Sequence, residues 1–346
     1  MTTPILAAVD IGGTKTAAAL VCGGTVLART QAPTPARDGA AAVLDTAAAL
    51  VRSLGGAPAG VGVGAPGLVD PVTGLVTAAT SSIRDWSGVD VPAGLRDRLR
   101  LPAVVLNDVQ AFTLGEAVHG AGRGLPTVLG VAVGTGVGGG VHAAGRLLTG
   151  RLGAAGHVGH VPVPQAVGRP CPCGAAGHVE AVASGPAMAA GYAARTGAVG
   201  VALPEVVRRA RAGDTHARAV LAEAGEALGT ALAGLANVLD PDRIVVGGGA
   251  AVPELLDALR PAFAVACLPV LGAVPLVPAA LGTDAPLVGA AEAARRALAA
   301  GSVAGPLRTG ALAAGAAVGA DAGTAADAGA DAGIDDGADA GRAVAR

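Results

Sequence analysis

Residues 5–21, ILAAVDIGGTKTAAALV, contain two apolar runs that are separated by a polar turn with two adjacent glycines. A third apolar run follows a second glycine pair at residues 23–24. Short apolar runs bounded by glycine turns are typical of strands, so the pattern predicts an antiparallel meander over residues 5–31. Because glycine has no Cβ, the turn at residues 10–15 also lets backbone N–H groups approach an anion.

Two further glycine runs, at residues 134–140 and 247–249, follow apolar segments at 127–133 and 243–246. Each could hold phosphate groups in the same way as the first turn. Strands are also predicted at 60–64 and 103–107, and helices at 39–54, from residue 108 to about 118, and at 216–239. The mixture of hairpins and crossover helices indicates an α/β fold.

Dinucleotide binding is one interpretation of the glycines, because windows 62–67 and 134–139 both match Gly-x-Gly-x-x-Gly. The context disfavours it. Pro66 interrupts the first window, and the second runs into another predicted strand. No acidic residue that could hold a ribose occurs between Glu116 and Glu180.

Composition excludes several other classes of function. The formal net charge is −2, so no basic footprint for nucleic acid is present. Lys15 is the only lysine, and the P-loop pattern fails there. The uncharged runs at 124–145 and 261–283 are broken by glycines and by four prolines, respectively, which argues against membrane spans. The N-terminus has no basic segment before its apolar run, which predicts a cytoplasmic protein.

Seven motifs occur in an order and spacing that resemble the ROK family of sugar kinases and sugar-responsive repressors. They are DIGGTKT (10–16), GVGAPGLVD (62–70), LNDVQAF (106–112), GVAVGTGVGGG (130–140), GAAGHVGHV (153–161), CPCGAAGHVEAVASG (171–185) and LDPDRIVVGGG (239–249). The resemblance covers residues 5–300. It implies a two-lobed actin-like ATPase (ribonuclease H-like) fold with the active site in the cleft between the lobes.

The same resemblance divides the chain into lobes. Residues 1–110, completed by a C-terminal helix at 286–300, are expected to form the N-terminal lobe with the first phosphate turn and part of the sugar site. Residues 111–285 are expected to form the larger lobe, with the second phosphate turn, a zinc loop and the adenosine site. Residues 301–346 are rich in Ala, Gly and Asp and lack large apolar groups, which predicts a disordered tail.

Activity and site residues follow from the resemblance. It implies an ATP-dependent kinase acting on the 6-hydroxyl of a sugar, with Asp108 as catalytic base and Mg²⁺ near Asp10. The expected ATP and phosphate contacts are Asp10, Gly12, Gly13, Thr14, Lys15, Gly134, Thr135, Gly136, Gly247 and Gly248. The expected sugar contacts are Gly67, Asn107, Asp108, His157, His160 and Glu180. A structural alternative for Asp108 is the N-cap of the following helix.

His160, Cys171, Cys173 and His178 supply two imidazoles and two thiolates, a donor set that suits a closed structural zinc site. The family usually has a third cysteine where this chain has His178. A Cys-x-Cys redox pair and a metal-free loop are the alternatives. A zinc site would fix a loop without a core of its own, so that Glu180 faces the sugar.

The acceptor sugar is suggested by His157, which stands where most glucokinases of the family have a glutamate. Gly-His-x-Gly-His resembles bacterial N-acetylmannosamine kinases, so N-acetylmannosamine is narrowly favoured over glucose or mannose. Ser82 stands where the family often has an asparagine, and its contact is left open.

The rival functions are the repressor branch, a non-catalytic sugar-binding sensor and an unrelated zinc-binding interaction module, which would explain only residues 160–178. Only nine residues precede Asp10, too few for a DNA-reading helix pair, and both catalytic-type aspartates are present. The expected partners are a sugar and ATP, with no nucleic acid and no membrane. By resemblance, the chain is expected to form a homo-oligomer, either a dimer or a tetramer.

Overall fold

Hairpins and crossover helices alternate in the first part of the chain, in a computed structural model that describes residues 3–301. The elements are β1 (Leu6–Ile11), β2 (Lys15–Cys22), β3 (Thr25–Pro33), α1 (Ala40–Ser53), β4 (Val61–Ala65), β5 (Leu68–Val69), β6 (Val76–Ala78), α2 (Val91–Leu99), β7 (Ala103–Asn107) and α3 (Asp108–His119). They confirm the predicted meander and the predicted helix after residue 107. The predicted tail lies outside the described residues, apart from Gly301.

The second part begins with another run of three strands. Its elements are β8 (Thr127–Val133), β9 (Val137–Ala143), β10 (Arg146–Leu148), α4 (Glu180–Ala183), α5 (Gly185–Thr196), α6 (Leu203–Arg211), α7 (Thr215–Leu239), β11 (Arg243–Gly247), α8 (Pro253–Ala266), β12 (Leu276–Pro278) and α9 (Ala285–Ala299). The uncharged run at 124–145 is therefore a hairpin. The run at 261–283 is divided between the end of α8, a 3₁₀ turn and β12.

The two main sheets have the same strand order. The first sheet is ordered β3-β2-β1-β4-β7 and the second β10-β9-β8-β11-β12. In each, the first three strands pair antiparallel and the last two join in parallel. The central strands of both sheets are buried, because their side chains are mostly valine, alanine, leucine and isoleucine. Each sheet thus places one glycine turn after its central strand β1 or β8.

Helix α3 lies between the two sheets. Its Thr113 occupies the space that Cβ atoms at Gly130 and Gly140 of the second sheet would need, while Ala111 approaches Gly64 of the first sheet. Helix α9 crosses α3 closely and packs on the first sheet, so its Leu287 and Val288 share a core with β1 and β2. Asp108, the first residue of α3, consequently lies where the two sheets approach each other. The lobe boundaries at residues 110 and 285 remain a prediction.

Helix α7 is the longest helix in the described part of the chain. By length and composition alone it could cross a membrane, but 61% of its most apolar 18-residue window is buried inside the fold. Asp214 caps it by accepting the N–H groups of His216 and Ala217. Its apolar face packs against α8 and the second sheet, which accounts for the hydrophobic composition.

Candidate active site

Two carboxylates lie at the carboxyl ends of parallel strands in the first sheet. Asp10 is near the end of β1, Asp108 directly follows β7, and β4 runs between them. A Cβ at Gly64 of β4 would lie 3.6 Å from Asp10 Oδ1 and 3.4 Å from Asp108 Cα, so glycine keeps this space open. Ligands of open α/β sheets bind at the carboxyl ends of the strands. The structure therefore brings the two predicted aspartates to one edge.

The N-cap of α3 is Asn107, not Asp108. Asn107 Oδ1 accepts the N–H groups of Val109 and Gln110, at 3.0 and 3.2 Å. The capping alternative for Asp108 is therefore wrong, because the preceding residue already fills that role. Asn107 Nδ2 donates to the Gly67 carbonyl at 3.0 Å, which leaves one amide N–H of this buried side chain for a ligand.

The pKa values of both aspartates are raised. Burial, followed by the charge of Asp10, raises the pKa of Asp108 from 3.8 to about 7. Burial also raises the pKa of Asp10 to about 6, although Lys15 and Arg29 oppose the shift. Such values suit a group that accepts a proton near neutral pH, and for Asp10 a nearby cation would stabilise the charged form.

The first glycine turn joins β1 to β2 through short-range contacts. Gly12 N–H donates to the Lys15 carbonyl, and Thr34, just after β3, donates its hydroxyl to the Gly12 carbonyl at 2.7 Å. Within residues 3–301, the N–H groups of Gly13 and Thr14 donate to no protein acceptor. These two donors can meet phosphate oxygens. Lys15 is exposed at the start of β2.

The second glycine turn joins β8 to β9. Gly134 N–H donates to the Gly136 carbonyl, and the Gly134 carbonyl accepts the N–H of Gly185, the first residue of α5. In the described part of the chain, the N–H groups of Thr135 and Gly136 have no protein acceptor. The second turn thus presents two N–H donors, as the first turn does.

Gly247 and Gly248 lie beside the end of β8. Gly248 has a φ of +93°, and a Cβ there would lie 2.2 Å from the Val133 carbonyl oxygen. A Cβ at Gly247 would collide with the ring of Phe112 on α3, at 2.7 Å. Both positions therefore require glycine for close packing, and the pair lies next to the second turn. An adenosine contact there stays a prediction.

The four predicted metal ligands come together. The ligand atoms of His160, Cys171, Cys173 and His178 all lie within 4.8 Å of one another. Nδ1 of His160 is 3.7 Å from Cys171 Sγ, and Nδ1 of His178 is 3.3 Å from Cys173 Sγ. Burial raises the pKa of the Cys171 thiol to about 11, so a thiolate there needs a cation. Two imidazoles and two sulfurs at this spacing fit Zn²⁺ in tetrahedral coordination.

His157 lies next to these four side chains. Its ring stacks on that of His160 with the centroids 6.0 Å apart. Nδ1 of His157 is 3.0 Å from the Ala154 carbonyl, which can only accept. Nδ1 therefore carries the proton, and burial lowers the pKa of the ring, which favours the neutral form. In that tautomer Nε2 is an acceptor.

A sequence model of the ROK family matches residues 6–297, nearly the whole of the described chain. The chain belongs to the ROK family. This membership confirms the resemblance drawn from the seven motifs, and with it the two-lobed actin-like ATPase fold.

Three relatives illustrate the similarity. The chain is 34% identical to a glucokinase of Halalkalibacterium halodurans over 81% of this chain and 92% of that one. It is 34% identical to an N-acetylmannosamine kinase of Shigella boydii over 82% of this chain and 96% of that one. A ROK glucokinase from Streptomyces griseus, solved with glucose and AMPPNP, matches with a TM-score of 0.76 and 33% identity, over 84% of this chain and 99% of that one.

Sequence reasoning missed two supporting side chains. Gln110, buried in α3, donates from Nε2 to the carbonyls of Gly153 and Ala155 and so holds the loop before His157 against α3. The signal available was an amide side chain two residues after Asp108, between valine and alanine. Thr34, which bonds the first turn, carries no local signal of its role.

Proposed function

We propose that this chain is an ATP-dependent sugar kinase that phosphorylates the 6-hydroxyl of a hexose or an N-acetylhexosamine. The observation that carries the proposal is the position of Asp108, between the sheets and beside Asp10. Relatives of the same family named glucokinase and N-acetylmannosamine kinase support sugar phosphorylation. Each sheet adds a turn with two N–H donors, and phosphoryl transfer depends mainly on such positioning.

In this proposal Asp108 accepts the proton of the attacking sugar hydroxyl. A base with a pKa of about 7 is about half ionised at neutral pH, becomes mostly ionised above it, and still takes up a proton readily. The turns hold the β- and γ-phosphates, and Gly247 and Gly248 form a wall for adenosine. Asp10 is the residue that would hold Mg²⁺, which would neutralise charge on the phosphates when bound.

N-acetylmannosamine is the acceptor that we favour. Because Nδ1 of His157 is committed to the Ala154 carbonyl, Nε2 offers the sugar a hydrogen-bond acceptor. The N–H of an acetamido group is a suitable donor to it. A sugar hydroxyl is also a donor, so glucose and mannose are the competing substrates.

We further propose Zn²⁺ as a structural cofactor held by His160, Cys171, Cys173 and His178. All four positions are taken by protein atoms, so the metal would support the loop rather than activate water. Reduced thiols and ATP are both available in the cytoplasm, where we place the enzyme.

A homo-oligomer, either a dimer or a tetramer, is the quaternary state that we expect, with no nucleic-acid or membrane partner. Exposed apolar side chains near the end of α7, at the end of α8 and just after α8 support an interface between copies: Val238, Val265, Leu268 and Val270. Light scattering after size-exclusion chromatography tests the expectation, and a monomeric mass would contradict it.

The decisive assay measures ATP-dependent ADP release with N-acetylmannosamine, N-acetylglucosamine, glucose and mannose. We expect N-acetylmannosamine to give the highest kcat/KM. Asp108→Asn should lower kcat by roughly 10²- to 10⁴-fold, the usual contribution of a general base. Asp257→Asn, which alters an exposed carboxylate on α8, is the matched control.

Two outcomes would change the proposal. A preference for glucose would retain the kinase and reject the argument from His157. Sugar binding without turnover would favour a non-catalytic sensor.

A further inference from the structure

The carboxylate of Glu180 lies against the second glycine turn. Its Oε2 accepts the N–H of Val137, the first residue of β9, at 2.8 Å. A Cβ at Gly136 would lie 2.6 Å from the same oxygen, and one at Gly159 would lie 3.3 Å from it. The carboxylate therefore fits between two glycines, and one of them belongs to the turn itself.

The position of Glu180 is set by the loop at residues 160–178, which carries His160, Cys171, Cys173 and His178 and is called the His/Cys loop below. Glu180 begins α4, two residues after His178, and the intervening Val179 donates its N–H to the Val161 carbonyl, next to His160. At the other end of this segment, Gly185 donates its N–H to the Gly134 carbonyl. Residues 180–185 thus hold the second turn at both of its ends.

We propose that Glu180 is a positioning residue for ATP, in addition to any contact with the sugar. By fixing the N–H of Val137 it sets the orientation of the preceding peptides, so that the N–H groups of Thr135 and Gly136 face the phosphates. It also makes the geometry of the phosphate turn depend on the His/Cys loop. This inference rests on the proposed function, because it assumes that the turn binds nucleotide phosphates.

Nucleotide binding without sugar separates the two roles of Glu180. Calorimetry with AMPPNP and Mg²⁺ and no sugar should show that Glu180→Ala weakens binding about tenfold, since the Val137 N–H loses its acceptor. Glu180→Gln keeps an oxygen that can accept the Val137 N–H, so its Kd should stay within about twofold of wild type. Glu226→Ala, on the exposed face of α7, is the matched control. Zinc content, measured on every variant, should be unchanged.

A second variant tests the same contact without altering Glu180. Gly136 has a negative φ, and the atoms that crowd a Cβ there belong to the Glu180 carboxylate. Gly136→Ala should therefore weaken AMPPNP binding in the wild type but add little to Glu180→Ala, because the alanine then has room. If Glu180→Ala cannot be purified folded, the comparison of Gly136→Ala with Gly136→Ala/Glu180→Gln replaces it. The Gln side chain of the double variant is as large as that of Glu180, so the methyl group added at position 136 still collides with it. The double variant should therefore bind AMPPNP as weakly as Gly136→Ala.

Failure of the positioning role of Glu180 can be distinguished from failure of the proposed kinase function. If the wild type does not bind AMPPNP, the proposed kinase function fails. If the wild type binds and Glu180→Ala with normal zinc content binds equally well, the positioning role of Glu180 is overturned while the kinase stands. Equal weakening by Glu180→Ala and Glu180→Gln would also overturn it, because the acceptor oxygen would then not be what matters.

Discussion

The two glycine turns follow the central strands of two sheets with the same strand order, yet they are supported differently. Each presents two N–H groups without a protein acceptor within residues 3–301. The hydrogen bonds that hold the first turn come from its own meander and from Thr34 just after it. The second is held by Glu180 and Gly185, which lie beyond the His/Cys loop. The first turn is therefore held by local contacts, whereas the second depends on a contact with a residue 43 positions away.

Their electrostatic surroundings differ as well. The first turn lies beside Asp10 and Asp108, whose raised pKa values show that charge at this edge is disfavoured without a cation. The second turn has a carboxylate that is already hydrogen-bonded to the backbone. The pH dependence of activity should therefore come from the first sheet. The dependence of folding on a metal should come from the second sheet.

Loss of the proposed zinc should disturb the second turn strongly and leave the first turn unchanged. Cys171→Ser should lower the zinc content, weaken AMPPNP binding by at least about tenfold and deprotect β9 and residues 158–180 in hydrogen exchange. The reason is that a bound metal would supply folding free energy to residues 172–176, which are all exposed. Exchange in β1 and β2 should not change. Cys22→Ser, at the end of β2, is the control, and equal deprotection of both sheets would contradict the comparison.

The pH dependence of kcat/KM should reveal the carboxylates of the first sheet. Because Asp108 must be ionised to accept a proton and its pKa is raised to about 7, kcat/KM should fall about tenfold per pH unit below that value. Initial rates from pH 5 to 9 give the midpoint. Glu180→Gln should leave the midpoint unchanged, since it acts at the other turn. A midpoint near pH 4 would show that burial does not raise the pKa of Asp108.

The contrast between local and long-range support of the two turns also separates what the sequence predicted from what it did not. The meander, the two glycine turns and the cluster of His160, Cys171, Cys173 and His178 were predictable because each depends on neighbouring residues or on distinctive residue types. Seven ordered motifs identified the family, and the site residues carried over from it still await experiment. Which sugar is bound was not predictable, because His157 at this position suits both an acetamido group and a hydroxyl.

Other features depend on contacts between distant segments. Asn107 and Asp108 are both good capping residues, so local preference cannot decide which begins α3, and the structure selects Asn107. Glu180 meets Val137 across 43 residues, and Gly64 separates Asp10 from Asp108 only after three strands pair. Such contacts arise from sheet order and loop packing, which periodicity in one sequence does not specify.

The buried carboxylates of Asp10 and Asp108 should also lower the free energy of unfolding when they are ionised. A folded-state pKa above the unfolded value means that the folded protein binds more protons between about pH 4 and 7, so stability falls as pH rises through this range. Asp108→Asn removes the charge and should raise the free energy of unfolding at pH 8 by about 2 kcal/mol, after discounting for partial exposure. Urea unfolding at pH 8 and pH 4 tests this. The gain should disappear at pH 4, and a variant less stable than wild type at pH 8 would refute it.

The smallest effect should come from the local support of the first turn. Thr34→Val removes the hydroxyl that donates to the Gly12 carbonyl and leaves the buried Thr16 hydroxyl without its 2.8 Å partner. This should cost about 1 kcal/mol of stability. The Kd for AMPPNP should change less than about twofold, because the Gly12 to Lys15 and Thr34 to Thr14 backbone hydrogen bonds still define the turn. Urea unfolding and calorimetry on the same samples measure both quantities. A tenfold loss of affinity, equal to that expected for Glu180→Ala, would mean that the first turn is no more self-supporting than the second.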